Sequence, residues 1–205
     1  FEGPGKIYEA TAAAMFGVDK SLIVKGNPEY ALRQKGKVAT LACGYQGGPN
    51  ALIQMGALNM GLTEEELPNI VSRWRAAHPH IVEFWYDVEA AAVAAIEGVP
   101  QKLQYNLKFF VKDGYLFIQL PSGRRLAYAQ PELCRDDRFD KVAITYMGIE
   151  QSKWAKQKTY GGKLVENIVQ ATARDILRDA MLLLDKAGYK IVMHVHDEVV
   201  LDVPN

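Results

Sequence analysis

Cysteine is scarce in this chain: only Cys43 and Cys134 occur among 205 residues. A single bridge is conceivable, but a disulfide scaffold is excluded, and such sparse usage suits a reducing compartment. A charge excess of either sign is also missing. Lys+Arg and Asp+Glu both number 24, so the formal net charge is +0. That disfavours a strongly basic protein that coats nucleic acid, though not a local basic face. No apolar run approaches bilayer length. No signal-peptide pattern stands at the start, so a cytoplasmic location without membrane contact is expected. Internal repeats and low-complexity tracts are absent too. What remains is ordinary for a globular protein, 49% hydrophobic and 23% charged, which excludes a disordered tail and a collagen-like fibre. The length suits one large domain or two small ones. The chain opens on Phe1 rather than Met and closes on Pro204-Asn205 directly after an apolar run. It is therefore expected to be part of something longer.

The first half reads as helices. Lys6 to Phe16 is alanine-rich and ends at Gly17. A second helix is predicted from Pro28-Glu29, through Arg33, Lys37, Leu41 and Tyr45, stopping at Gly47-Gly48-Pro49. Asn50 to Met60 forms a short apolar helix. Thr63 and Glu66 make a capping box that opens a helix running through Trp74 and broken by Pro79. Ile81 to Ile96 is a further helix, closed by Gly98. The character then changes. Leu103 to Leu120 alternates apolar and polar residues around Asp113-Gly114, a hairpin signal. Pro121-Ser122-Gly123 turns the chain before Arg124 to Tyr128, and Asp140 to Gly148 predicts another strand. Lys163 to Ala187 is a long helix ended at Gly188. Two strands from Lys190 to Val203 follow, joined by a tight turn at His196-Asp197-Glu198. The predicted fold class is α+β.

Asp197-Glu198 is the feature that most needs explaining. Acidic side chains are rarely buried unless paired or metal-bound, and these lie between β-branched runs that read as core strands. A turn lifts them to the end of the hairpin, within reach of a hard cation. Mg²⁺ takes one or two carboxylates plus phosphates and waters. A plain acidic β-turn is the alternative. His194 and His196 alternate, so on a strand they share a face. With His78 and His80 they raise a zinc site, but Pro79 breaks the local helix there and no cysteine pair supports it.

Arg33, Lys37, Leu41 and Tyr45 recur every four residues. Each step drifts by about 40°, so they line one gently winding side of a helix. Two cations come first, then an aliphatic, then an aromatic. A nucleoside triphosphate makes its demands in that order: phosphate, sugar, base. An amphipathic helix with solvated charges is the alternative. Lys153, Trp154, Lys156, Lys158 and Lys163 form the most basic stretch, either contacts to a nucleic-acid backbone or a solvated loop.

Taken together, the Arg33-to-Tyr45 stripe and the distant His196-Asp197-Glu198 resemble the family A DNA polymerases, the DNA polymerase I-like group. Lys6-Ile7-Tyr8 through Phe16-Gly17-Val18 is similar to the helix between that family's first catalytic strand and its fingers. Ser122-Gly123-Arg124-Arg125 resembles a hairpin of its palm. Gly161-Gly162-Lys163 through Gln170 resembles its helix along the primer–template minor groove, and the Lys158-Thr159-Tyr160 lead-in is similar to phage-type members. The resemblance spans essentially the whole chain. It implies a mainly helical fingers-like part over residues 1–100 and a partial palm over residues 101–205, an antiparallel sheet with a long packing helix.

By that resemblance, Arg33 and Lys37 hold the triphosphate of the incoming nucleotide, Lys37 also as a catalytic residue. Leu41 lies against sugar and base, where Phe or Tyr is usual. Tyr45 sits where the template base stacks. Gln46 stands where Gly often follows that Tyr, so a remodelled helix end is expected. Asp197 is a catalytic metal ligand, with Glu198 as its supporting carboxylate. His196 contacts the primer end, and His194 replaces a more frequent Gln. Gln170, Asn167, Arg125 and Lys163 contact DNA. Gln170 has a physical rationale, since every base pair shows minor-groove acceptors at nearly fixed positions.

The implied reaction is attack of the primer 3′-hydroxyl on the α-phosphorus of a dNTP, releasing pyrophosphate, with Mg²⁺ or Mn²⁺ ions assisting. The implied partners are primer–template DNA, a dNTP and an upstream polymerase region holding the first catalytic aspartate and the thumb. Without that region, poor or no activity is expected. Two other classes stay open: a non-catalytic nucleic-acid-binding remnant, and a metallohydrolase using His194 and His196.

Overall fold

The computed structural model describes residues 6–136 and 141–203. It is α+β, 50% helical and 26% strand. The chain divides into two units. One runs through Asp87 and includes Gly161–Lys163; the other comprises Val88–Tyr160 and the chain from Leu164 onward.

The first unit is helical. Helix α1 (Ile7–Phe16) ends at Gly17, whose φ of 66° is the left-handed cap expected there. Helix α2 (Ala31–Cys43) follows a 3₁₀ turn at Pro28–Tyr30. The two helices approach closely because α2 carries Gly36: a Cβ there would stand 2.3 Å from the Tyr8 carbonyl oxygen. The predicted apolar helix is split into α3 (Pro49–Gln54) and a 3₁₀ turn at Leu58–Met60. Gly56, at φ 83°, lies between them. The Glu66 carboxylate accepts the Thr63 N–H at 2.8 Å, but helix α4 (Leu67–Ala77) begins only after that turn. Pro79 starts helix α5 (Pro79–Ile96) rather than merely ending its predecessor. Ala12, Met15, Val38, Cys43, Leu52, Leu67 and Trp74 are buried in this unit. Trp74 stacks on Trp85 at 6.0 Å.

The second unit is built on a six-stranded antiparallel meander, β1-β2-β3-β4-β5-β6. Its strands are β1 (Gln101–Lys102), β2 (Lys108–Lys112), β3 (Tyr115–Gln119), β4 (Arg125–Asp136), β5 (Lys141–Glu150) and β6 (Lys153–Thr159). The β2–β3 turn is the one its sequence demands: Asp113 and Gly114 have φ of 51° and 79°, as a type I′ hairpin requires. Strand β4 is bulged between Ala129 and Glu132, where Pro131 has no N–H for the ladder. In the basic stretch, where the sequence leaves backbone contacts or a loop open, Lys153 to Lys158 lie on strand β6 and Lys163 lies in the helix that follows. Asp140, the expected start of β5, lies outside the described residues, as do Phe1 and the Pro204-Asn205 end.

Helix α6 (Gly161–Lys186) follows. In this unit Leu164, Val165 and Ile168 are buried along with Phe109, Leu116, Ile118 and Ile144 of the sheet. The Asn167 Nδ2 donates to the Tyr128 hydroxyl at 2.9 Å. Strands β7 (Lys190–Val195) and β8 (Glu198–Asp202) form a separate two-stranded sheet.

Candidate functional site

In the first unit, Arg33, Lys37 and Leu41 lie along α2, as their spacing requires. Tyr45 does not. The helix ends at Cys43, and Tyr45 falls in the following turn, where Gln46 adopts a left-handed φ of 69°. Tertiary bonds hold this turn against helical continuation. The Trp85 indole N–H donates to the Gly44 carbonyl at 3.0 Å. Arg75 reaches the Gly47 carbonyl. The Gly162 N–H donates to Gln46 Oε1 at 2.9 Å, satisfying one of the free amides at the start of α6. The stripe is therefore three helical residues plus one residue on the turn that follows the helix.

The two cations are set on a platform that the sequence pattern did not reveal. Arg33 Nε donates to Glu9 Oε1 at 2.9 Å. The Arg33 guanidinium lies 5.4 Å from the Tyr8 ring centre, and the Lys37 ammonium 6.0 Å from the same ring. Both charges thus lie within cation–π range of the Tyr8 ring. Lys37 forms no ion pair among the described residues. Two cations with one carboxylate leave this surface net positive. Leu41 is exposed beyond them. A signal for Glu9 existed: it is the single charged residue of an otherwise uncharged α1.

In the second unit, Asp197 and Glu198 lie at the tip of the β7–β8 hairpin and are exposed. Glu198 is the first residue of β8 and pairs with Val195, so the turn proper is narrower than the sequence suggested. His194 is on β7, whereas His196 takes φ 53° in the turn. The strand stops before His196, so the two histidines do not alternate along one strand face as expected. The apolar strands also differ from expectation. Val192, Met193, Val195 and Val200 are 59%, 53%, 46% and 43% exposed, so they are not core strands here. The physical reason is that β7 and β8 pair only with each other among the described residues, and a lone hairpin has no second layer to cover it.

Among the described residues, no group of three or more His, Cys, Asp or Glu could hold a metal ion. His78 stacks on Trp74 at 4.3 Å, and its Nδ1 is 2.8 Å from the Trp74 carbonyl, while His80 faces Glu83. The pair Asp197 and Glu198 supplies two hard oxygen donors. That suits an ion taking its remaining ligands from phosphate and water, as Mg²⁺ does. It does not suit a closed zinc site.

Gln170 is exposed on α6, and its side chain makes no hydrogen bond among the described residues. Asn167 is different, since its amide is committed to Tyr128. Burial pushes the Tyr128 phenol up to about 12, although this hydrogen bond opposes the shift. Lys163 is exposed in the first turn of α6. Arg125 is exposed on β4, its guanidinium 5.3 Å and 5.9 Å from the Phe110 and Phe117 rings. The neighbouring Arg124 instead binds the buried Asp175 at 2.7 Å and the Ala171 carbonyl, fixing the β3–β4 turn to α6.

No helix among the described residues is long and apolar enough to cross a membrane. No protein-family model matches the chain, and no solved structure matches it. Over 206 aligned residues the chain is 65% identical to a protein named DNA polymerase from Bacillus phage SP02. The alignment covers 100% of this chain and 31% of that relative, so the chain spans about a third of the length of the curated relative it matches.

Proposed function

We propose that this chain is the fingers-like and partial palm segment of a template-directed DNA polymerase of the family A, phage-type group. The observation that carries the reading is the α2 surface, where Arg33 and Lys37 are presented over Tyr8 with a single carboxylate beside them. Similarity along all of this chain to about a third of a protein named DNA polymerase supports it.

In this reading Arg33 and Lys37 bind the triphosphate of an incoming dNTP and neutralise charge as pyrophosphate leaves. The Glu9 carboxylate holds Arg33 by Nε, leaving its terminal nitrogens to fork onto phosphate oxygens. Leu41 and Tyr45 give apolar and stacking contact to sugar and bases. His196 touches the primer end, and Gln170 donates to minor-groove acceptors of primer–template DNA. Arg125 and Lys163 are backbone contacts. Asp197 and Glu198 would hold Mg²⁺ or Mn²⁺, which when bound lowers the pKa of the attacking 3′-hydroxyl and stabilises the leaving phosphate charge. The remaining catalytic aspartate and the thumb belong to an upstream part of a longer polymerase. The exposed apolar strands β7 and β8 fit a sheet that such a part completes.

Isothermal titration of dATP into the chain tests this. Mg²⁺-dependent binding is expected, weakened about tenfold or more by Lys37→Ala and weakened by Asp197→Ala. Metal-independent or absent nucleotide binding, with duplex DNA still bound by Asp197→Ala, would favour the non-catalytic remnant. Templated extension by the purified 205-residue chain would overturn the claim that it is incomplete.

A further inference from the structure

The inner face of the β1–β4 sheet is ordinary core, but its outer face is not. Strand register sets three rows of opposed residues on that side: Lys102, Lys108, Gln119 and Arg125; then Phe110, Phe117 and Ala127; then Lys112, Tyr115 and Ala129. Directly opposed residues point to the same side of a sheet, so these share one face. Phe109, Leu116 and Ile118, at the alternate positions, are each 0% exposed on the other face.

The outer rows combine two chemistries. Phe110 and Phe117 lie 5.5 Å apart, and Tyr115 lies 5.9 Å from Phe117. Tyr115 is 43% exposed. Arg125 spreads over both phenylalanine rings. Around the rings stand Lys102, Lys108 and Lys112, which form no ion pair among the described residues. None of the positions in these rows is acidic, in a chain whose charges balance to +0 overall. Cross-strand pairing accounts for Phe110 opposite Phe117. It does not account for a ring of cations with no carboxylate among them, nor for a third aromatic turned to solvent.

Rings flanked by cations match a ligand with flat apolar faces on a polyanionic backbone. A duplex hides its base faces in the stack, so an unpaired strand is the form that can use them. We propose that the outer face of β1–β4 binds unpaired DNA, with Phe110, Phe117 and Tyr115 as stacking platform and Lys102, Lys108, Lys112 and Arg125 as phosphate contacts. The choice of DNA over RNA rests on the polymerase reading; the platform itself does not.

Fluorescence anisotropy with the whole chain tests it, using labelled oligo(dT) of roughly 12 nucleotides, a blunt duplex of the same length and oligo(rU). Oligo(dT) is expected to bind most tightly. The Phe110→Leu/Phe117→Leu double variant should bind it about tenfold more weakly or worse, and Lys112→Glu should weaken it and flatten its salt dependence. Tyr115→Ala, at the most exposed ring, is the second probe should the double variant unfold by circular dichroism. All of these variants should retain Mg²⁺-dependent dATP binding, which separates failure of the platform from failure of the polymerase reading. Duplex bound as tightly as oligo(dT), a preference for oligo(rU), or unchanged affinity in folded Tyr115→Ala would overturn the proposal.

Discussion

The Gln46 side chain satisfies one of the free amides at the start of helix α6, 116 residues further along the chain, by accepting the Gly162 N–H at 2.9 Å. The approach is possible because residue 162 has no Cβ. A methyl group there would stand 2.3 Å from the Tyr45 carbonyl oxygen and 2.5 Å from Gln46 Cβ.

A glycine-to-alanine change near a helix end usually stabilises or is neutral. Gly162→Ala is expected to do the reverse, lowering stability by about 1–3 kcal/mol through overpacking against backbone. Urea unfolding of the variant measures this. An unchanged or raised midpoint would show that the Tyr45–Gln46 turn yields freely.

Glu9 is expected to trade stability against ligand affinity. Its side chain is 12% exposed and its partner is Arg33. Glu9→Gln should cost about 1–2 kcal/mol, since an ion pair becomes a hydrogen bond from Arg33 to an uncharged amide oxygen. Removing the carboxylate also raises the net positive charge of the α2 surface. Triphosphate affinity at low salt should therefore rise in Glu9→Gln and fall in Arg33→Ala, as calorimetry would show.

Asp175 gives stability a dependence on acid. The residue is 5% exposed and accepts from Ser122 Oγ at 2.6 Å and Arg124 Nε at 2.7 Å. Burial by itself pushes its carboxyl up, but those hydrogen bonds and the Arg124 and Arg178 charges outweigh it and hold the group below its ordinary 3.8. The folded form thus keeps the carboxylate at a pH where the unfolded chain protonates it. The stabilisation is complete above the unfolded value and is lost as pH falls through the folded one. Asp175→Asn should be less stable at neutral pH and should show a shallower loss below about pH 4. Parallel curves for the two proteins would remove Asp175 from the account.

The alkaline limb should report Cys43. Burial pushes its thiol up to about 11 from 9.0, with the Arg75 charge opposing the shift. The unfolded chain then releases the proton first, so stability declines as pH rises from about 9 to about 11 and levels off above that. Cys43→Ala should flatten this window. The Tyr128 phenol, ordinarily at 10.0, adds a decline from there toward about 12, which Tyr128→Phe should remove. Thermal midpoints measured across this range separate the two contributions.

Much of the fold was legible because its signals are local. Gly17 ends α1, and Asp113-Gly114 makes the first hairpin, because few other residues tolerate the left-handed backbone required. The α2 stripe was legible for three of its four residues, since periodicity speaks only while the helix lasts. Strand β6 was obscured by its lysines, which on an exposed sheet face read like a loop. The exposure of the β7–β8 strands is not legible, because β-branched residues signal strand and burial alike.

By its sequence alone, then, this protein settles where its helices and hairpins stand and which residue types can meet phosphate or metal, because turn sterics and side-chain period act within a few residues. Tertiary structure decided that Tyr45 leaves the helix, that Glu9 holds Arg33, that the hairpin strands are exposed and that cations ring an aromatic sheet face. These outcomes depend on partners such as Glu9 with Arg33 and Gln46 with Gly162, which lie 24 and 116 residues apart. No local pattern encodes such a pairing; only packing brings its members within hydrogen-bond reach.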